Sequence, residues 1–251
     1  MTKKRIRIII SPAKKMEVRN DILPNVGMPP FLEKTEELLN YMKSLDYGQL
    51  KEVWKCNDKI AAQNYERVRR MDLRSNLTPA ILAYEGIQYK YMGPAVFQRD
   101  AYEYLEEHLY ILSGFYGALK PFDGVTPYRL EMQARFGQDF LDRLYDFWGS
   151  GIAELVLSDC AVLVNLASRE YSKCITGYLP ADIPCVTCVF GEWVNGKVKE
   201  KGTYAKMARG EMVRFMAEER IEQAEGIKAF NRLGYHFEEE LSDAEKYIFI
   251  K

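Results

Sequence analysis

Histidine is nearly absent from this chain of 251 residues, with only His108 and His236 present. That scarcity argues against a His–Cys catalytic pair and against an iron site built on imidazoles. The five cysteines are an odd number without framework spacing, so reduced thiols are expected. Cys185 and Cys188 have the CxxC spacing of redox and zinc sites, but no second such pair completes a zinc ligand set. They also lie in an apolar, β-like run, where residues three apart face opposite sides and do not easily bridge. Buried structural thiols are the expectation, with no metal and no cofactor. The acidic trio Glu238, Glu239 and Glu240 reads as a solvated surface. Long hydrophobic runs are missing too. The basic start leads into an apolar stretch that ends at Ser11, too short for a signal peptide, and no later run approaches a membrane span. A soluble, cytoplasmic protein without a membrane partner is expected. There is no internal repeat and no low-complexity segment.

What is present allows a substantial core: 47% of residues are hydrophobic and 13% aromatic. No clean linker divides the chain, so residues 1–251 are expected to form a single domain. The formal net charge of −1 hides an asymmetry. Residues 1–75 carry 16 Lys and Arg against 10 Asp and Glu, a net of +6, which leaves −7 for the remainder. A second basic cluster comprises Lys197, Lys199, Lys201, Lys206, Arg209 and Arg214. Separated charge of this kind can mark an anion-binding face. With a pI near 6.2, any nucleic-acid contact must rely on a local patch, since dedicated nucleic-acid domains usually exceed pI ~9.

Periodicity and turn chemistry predict a mixed α/β fold with one central mixed sheet flanked by helices. Strands are expected over residues 5–11, 109–113, 161–166 and 247–250, the last at a sheet edge. A hairpin pairs 183–194 with 197–204 across Asn195-Gly196, a strong turn signal. Helices are expected over 31–43, 49–55, 58–70 (capped by Asn57), 99–107, 138–157 and 205–222, with a turn at 44–48. Residues 80–91 read as β-like around a Glu85-Gly86 turn. The stripe Tyr102, Tyr104, Leu105 and Leu109 reads as core packing.

The stretch 113–132, SGFYGALKPFDGVTPYRLEM, fits neither a core element nor a linker. Its glycines and prolines break regular structure, yet its aromatic residues are too apolar for a solvated loop. An ordered, partly buried loop is expected, the kind that carries function. Arg129 and Glu131 share one face of it if the chain is extended. They read either as an ion pair bracing the loop or as the base of a phosphate or carboxylate site. Ser11, Ser113 and Ser168 each follow an apolar strand, where ligands gather on open α/β sheets, although each could equally just cap or turn the chain.

The segments ISPAKKM, LSGFYGALKPFDGVTPYRLEM, NLASREY, KMARGEM and FNRLGYHF occur in this order along nearly the whole chain. Together they resemble the peroxide stress protein YaaA family. The resemblance implies an unusual α/β fold rather than a common superfold, in a cytosolic protein that helps bacteria survive hydrogen peroxide. It further implies binding of duplex or branched DNA, in the service of DNA repair, through a positively charged cleft and a helix-hairpin-helix element. That element would fall at about residues 38–70, with Lys43, Lys51, Lys55 and Lys59 as its cations. Its hairpin lacks the usual Gly-x-Gly and offers only Gly48. Lys14, Arg129, Lys206 and Arg209 carry over as cleft cations. Four such cations would repel one another unless carboxylates, Glu131 and Glu170, or a phosphate sit among them.

The same constellation supports an alternative. Ser11, Tyr128, Glu131, Ser168, Glu170 and Tyr171 beside these cations are richer than backbone-only DNA binding needs. They are candidate catalytic residues of an enzyme, or of a binder of a small phosphorylated or nucleotide ligand, around Arg129 and Glu131.

Overall fold

The computed structural model describes residues 4–19, 22–137 and 143–251. Strand β1 (Arg5–Ile10) is its spine. Ile6, Ile8, Ile9 and Ile10 are all buried, as a strand packed on both faces requires. After β2 (Lys15–Met16) come three helices, α1 (Leu32–Ser44), α2 (Tyr47–Trp54) and α3 (Asp58–Arg70). The Asp46 carboxylate accepts the Gln49 N–H, and the Gln49 side chain accepts the Asp46 N–H. This reciprocal cap starts α2 early, so Gly48 lies inside the helix and not in the expected 44–48 turn. Asn57 caps α3 as expected, accepting the Ile60 N–H at 3.0 Å. The link from α2 to α3 is Lys55, Cys56 and Asn57, and its left-handed residue is Lys55 (φ 44°).

Residues 80–91 are not a β-hairpin. They form β3 (Thr78–Pro79) running into α4 (Ala80–Ala83), then β4 (Tyr84–Glu85) and α5 (Ile87–Met92), which Gly93 ends at φ 63°. A short apolar run looks the same in a strand and in a buried helix, which is why periodicity misread it. Helix α6 (Arg99–His108) and strand β5 (Leu109–Ser113) agree with expectation. The 113–132 segment contains β6 (Gly117–Leu119) and β7 (Gly124–Val125) and is more deeply buried than expected, with Phe115 and Tyr116 sealed from solvent. In place of one helix over 138–157 there are two, α7 (Leu144–Trp148) and α8 (Gly151–Leu157), split at Gly149 (φ 52°). Residues 138–142 of that span lie outside the described residues.

Strand β8 (Cys160–Leu166), helix α9 (Arg169–Thr176), strands β9 (Cys185–Val194) and β10 (Lys197–Lys199), and helix α10 (Gly202–Glu218) follow. The β9–β10 turn is Asn195-Gly196, both at positive φ as expected. Strand β10 stops short of residue 204 because α10 begins three residues earlier than expected. The chain ends with β11 (His236–Phe237) and β12 (Lys246–Ile250). Strand β12 is not an edge: it lies between β11 and β9, with Tyr247 and Phe249 buried. The two residues of β11 supply the edge, too few to leave a signal in the sequence.

The main sheet runs β11-β12-β9-β8-β1-β5-β6, with β10 also on β9. Strands β12, β9, β8, β1 and β5 are parallel, while β6, β10 and β11 are antiparallel to their neighbours, so the sheet is mixed as expected. Small two-stranded pairs β2–β4 and β3–β7 lie outside it. Because β1, β5 and β8 are parallel neighbours, their C-terminal ends lie side by side. The chain places β5 on one side of β1 and later β8 on the other. Such a reversal of strand order opens a crevice at the strand ends.

Candidate functional site

A cleft of about 480 Å³ opens at the ends of β1 and β8. Ser11, Lys14, Tyr128, Arg129, Glu131, Ser168, Glu170, Tyr171, Lys206 and Arg209 all line it, from four separate stretches of chain. Two serines join the strand ends. The Ser168 N–H donates to Ser11 Oγ at 2.8 Å, and Ser11 Oγ donates to Ser168 Oγ at 3.2 Å. Ser168 stands at the N-cap of α9, but its side chain makes no capping bond. Ser113 does not line the cleft. Its Oγ accepts the N–H groups of Phe115 and Tyr116, at 3.1 and 2.8 Å. Its proton is therefore directed to Tyr128 Oη at 2.6 Å, and Tyr128 donates onward to Tyr84 at 2.8 Å. This buried chain of hydroxyls holds Tyr128, and with it the neighbouring Arg129. Burial pushes the phenols of Tyr84 and Tyr128 well above the usual tyrosine range, so both keep their protons.

Two glycines set the walls. A Cβ on Gly114 would stand 2.7 Å from Leu130 O, so the turn after β5 packs directly under the 128–131 segment. A Cβ on Gly210 would stand 2.1 Å from Gln88 O. The group that approaches Gly210 so closely is the backbone of α5. Helix α10, with Lys206 and Arg209, is thereby set beside Gln88.

Several of the charges in the cleft are paired. Lys14 Nζ lies 2.8 Å from Glu131 Oε1, and Arg129 Nη2 lies 3.5 Å from the same oxygen. Arg209 Nη2 lies 3.5 Å from Glu200. Glu170 accepts the Gln133 N–H at 3.3 Å. Burial raises the Glu170 carboxyl above its ordinary value, and the Glu131 charge acts in the same direction. Two carboxylates in one cleft thus stand in different surroundings, one beside two cations and one desolvated. Differences of surroundings of this kind are what separate acid from base roles where two carboxylates share an enzyme site. Three donors on this wall are buried and lack any hydrogen-bond partner among the described residues: Arg129 Nε, Arg209 Nε and Gln88 Nε2. An orphaned buried donor costs about 1–3 kcal/mol, more when charged. All three belong to residues that line one cleft, a donor set that fits an anionic ligand with several acceptor oxygens, as a phosphate has.

The lysines of the 38–70 segment are placed elsewhere. Lys43 donates to Met71 O at 3.2 Å, and Lys51 pairs with Asp58 at 2.5 Å. Lys59 is exposed near the start of α3. Lys55 lines a second cavity of about 310 Å³, which shares Arg129 and Glu131 with the cleft. Sequence reasoning missed Gln88, hidden in a stretch misread as β, and Trp54, which lines the second cavity. Among the described residues no group of three or more His, Cys, Asp and Glu is arranged to hold a metal ion. The five thiols are free, and burial pushes those of Cys160, Cys174 and Cys188 up to about 12. No described helix is long and apolar enough to cross a membrane.

Comparison with known proteins agrees with the motif order. The family model described as "Peroxide stress protein YaaA" matches residues 6–241. A "UPF0246 protein" of Lachnoclostridium phytofermentans is 54% identical over 246 residues, covering 98% of this chain and 96% of the relative. One from Desulfitobacterium hafniense is 55% identical, with 98% of both chains covered, and one from Pediococcus pentosaceus is 49% identical with the same coverage. The chain belongs to the peroxide stress protein YaaA family.

Proposed function

We propose that this member of the peroxide stress family works in the cytoplasm by holding a phosphorylated ligand of nucleotide size in the cleft. The observation that carries this reading is that three buried donors without partners among the described residues, Arg129 Nε, Arg209 Nε and Gln88 Nε2, belong to residues lining one cavity. Its volume of about 480 Å³ is in the range of small-ligand sites, roughly 300–1,000 Å³. Glu131 and Glu170 supply the base and the acid with which the cleft acts on what it holds. A second reading, duplex or branched DNA lying across the cleft and the α2–α3 pair, draws support from Lys55 on the adjoining wall and exposed Lys59. The pairing of Lys51 with Asp58 and the bond from Lys43 to Met71 O count against it, since these cations are already engaged.

One set of measurements separates the readings. Wild type and the variants Arg129→Ala, Glu131→Gln and Lys55→Ala/Lys59→Ala are titrated with adenosine 5′-monophosphate and with labelled duplex and four-way-junction DNA at several salt concentrations. The ligand reading expects thermal stabilisation by the nucleotide that is lost in Arg129→Ala. The DNA reading expects affinity that falls steeply with salt and collapses in the double lysine variant. If Arg129→Ala and Glu131→Gln lower thermal stability and change no ligand response, the Arg–Glu pair merely braces its loop and the ligand reading fails; if the double lysine variant binds DNA as wild type does, the DNA reading fails.

A further inference from the structure

The second cavity bears on what kind of ligand the cleft takes, and the inference rests on the phosphorylated-ligand reading above. This chamber is lined by Trp54 and Lys55 from the end of α2 and by Arg129, Glu131, Gln133 and Arg135 from the segment after Tyr128. Among its described lining residues, three cations face one carboxylate, and that carboxylate is already engaged by Lys14 and Arg129. Trp54 is 3% exposed, and its indole N–H has no hydrogen-bond partner among the described residues. An indole nitrogen can only donate, and buried tryptophans usually find an acceptor. Lys55 reaches this wall with its backbone in the left-handed region at φ 44°, a conformation that costs a side-chain-bearing residue about 1 kcal/mol or more. The chamber therefore has its own buried orphan donor and its own positive charge, separate from Arg209 and Gln88 in the main cleft. Arg129 stands on the shared wall and can offer donors to both sides.

We infer that the cleft and this chamber are two anion subsites of one site, joined at Arg129, and that the ligand carries two anionic groups held apart on one small molecule. The main cleft holds one group against Arg129, Arg209 and Gln88, and the chamber holds the other against Trp54 Nε1 and Lys55. The apolar side of the main cleft, Pro12, Ala13 and Ile87, packs the organic body between them.

The test compares adenosine 5′-monophosphate with adenosine 3′,5′-bisphosphate, which adds a second separated phosphate to the same body. Dissociation constants are measured by calorimetry on wild type, Trp54→Phe and Lys55→Asn. Phenylalanine keeps the ring packing and removes the donor, while asparagine tolerates the left-handed backbone and removes the charge. Wild type should bind the bisphosphate at least about tenfold more tightly, the effect of one added hydrogen bond to a charged group. Each variant should lose most of that advantage while keeping its affinity for the monophosphate. If wild type binds both equally, or if the variants weaken both ligands alike, the two-subsite inference is wrong although the phosphorylated-ligand reading stands. If wild type binds neither, that reading fails and the inference falls with it. Circular dichroism of each variant confirms that the fold is retained.

Discussion

Helix α10 contains two glycines whose replacement by alanine should act in opposite directions. At Gly210 the new Cβ would stand 2.1 Å from the carbonyl oxygen of Gln88, a backbone atom that cannot swing aside. Helices α5 and α10 would have to part by about 1 Å, breaking close packing along their contact. Overpacking of this kind costs about 1–3 kcal/mol, and a backbone clash belongs at the upper end. The gain in helix propensity from Gly to Ala, about 1 kcal/mol, offsets part of it. Gly210→Ala should therefore lose about 2 kcal/mol. At Gly202 the added methyl meets nothing within 4 Å and the backbone needs no positive φ. Gly202→Ala should gain about 0.4–1 kcal/mol by restricting the unfolded chain. In a chain of this length 1 kcal/mol moves the melting temperature by about 2–4 °C, so the first variant should melt about 4–8 °C lower and the second slightly higher. Urea unfolding with unchanged slope checks that the native fold is retained. The reasoning is refuted if Gly210→Ala matches wild type or gains stability as Gly202→Ala does. Because α10 carries Arg209 and α5 carries Gln88, the Gly210 variant should also weaken nucleotide binding, and Gly202→Ala should leave it unchanged.

A second prediction concerns Asp123, whose carboxyl burial pushes up to about 7 although it accepts the Lys120 N–H at 2.7 Å. The folded state then holds this proton more tightly than the unfolded chain, so the residue's contribution to stability falls as pH rises from about 4 to 7. Asp123→Asn removes that titration. Relative to the variant, wild type should lose roughly 4 kcal/mol across this window in urea unfolding at a series of pH values, and a difference that stays flat with pH sinks the idea. A third concerns the thiols. Under native conditions a thiol reagent should modify the half-buried Cys56 first and Cys185, whose thiol burial pushes up to about 11, more slowly, with Cys160, Cys174 and Cys188 reacting only on unfolding. Peroxide treatment followed by non-reducing peptide mapping should show no Cys185–Cys188 disulfide, and finding one would overturn the reading of these residues as structural.

Much of the local architecture could be read before the fold was seen. The isoleucine run of β1, the Asn57 cap of α3 and the Asn195-Gly196 turn each depend only on residues adjacent in sequence. The failures have a common cause. Residues 80–91 and the interior position of β12 depend on what packs against them, and an apolar run does not say whether its partner is a helix, a strand or a sheet edge. The capping box that drew Gly48 into α2 was local, and its signature, Asp46 followed three residues later by Gln49, stood in the sequence.

The candidate site divides the same way. The chemistry of its residues, paired carboxylates among Lys and Arg beside glycine-rich turns, was legible because charge and hydrogen-bonding capacity belong to side chains whatever their surroundings. Sequence could not show which of these groups would be left without partners. That the Nε atoms of Arg129 and Arg209 stand buried without partners among the described residues follows from which segments the fold brings side by side. Gln88 joins them only because Gly210 lets α10 close on α5, a contact between positions more than a hundred residues apart. The sequence by itself determined the locally encoded caps, turns and strands and the chemical inventory, since these are short-range properties. Tertiary structure alone decided their convergence, because a partnerless buried donor is defined by everything around it.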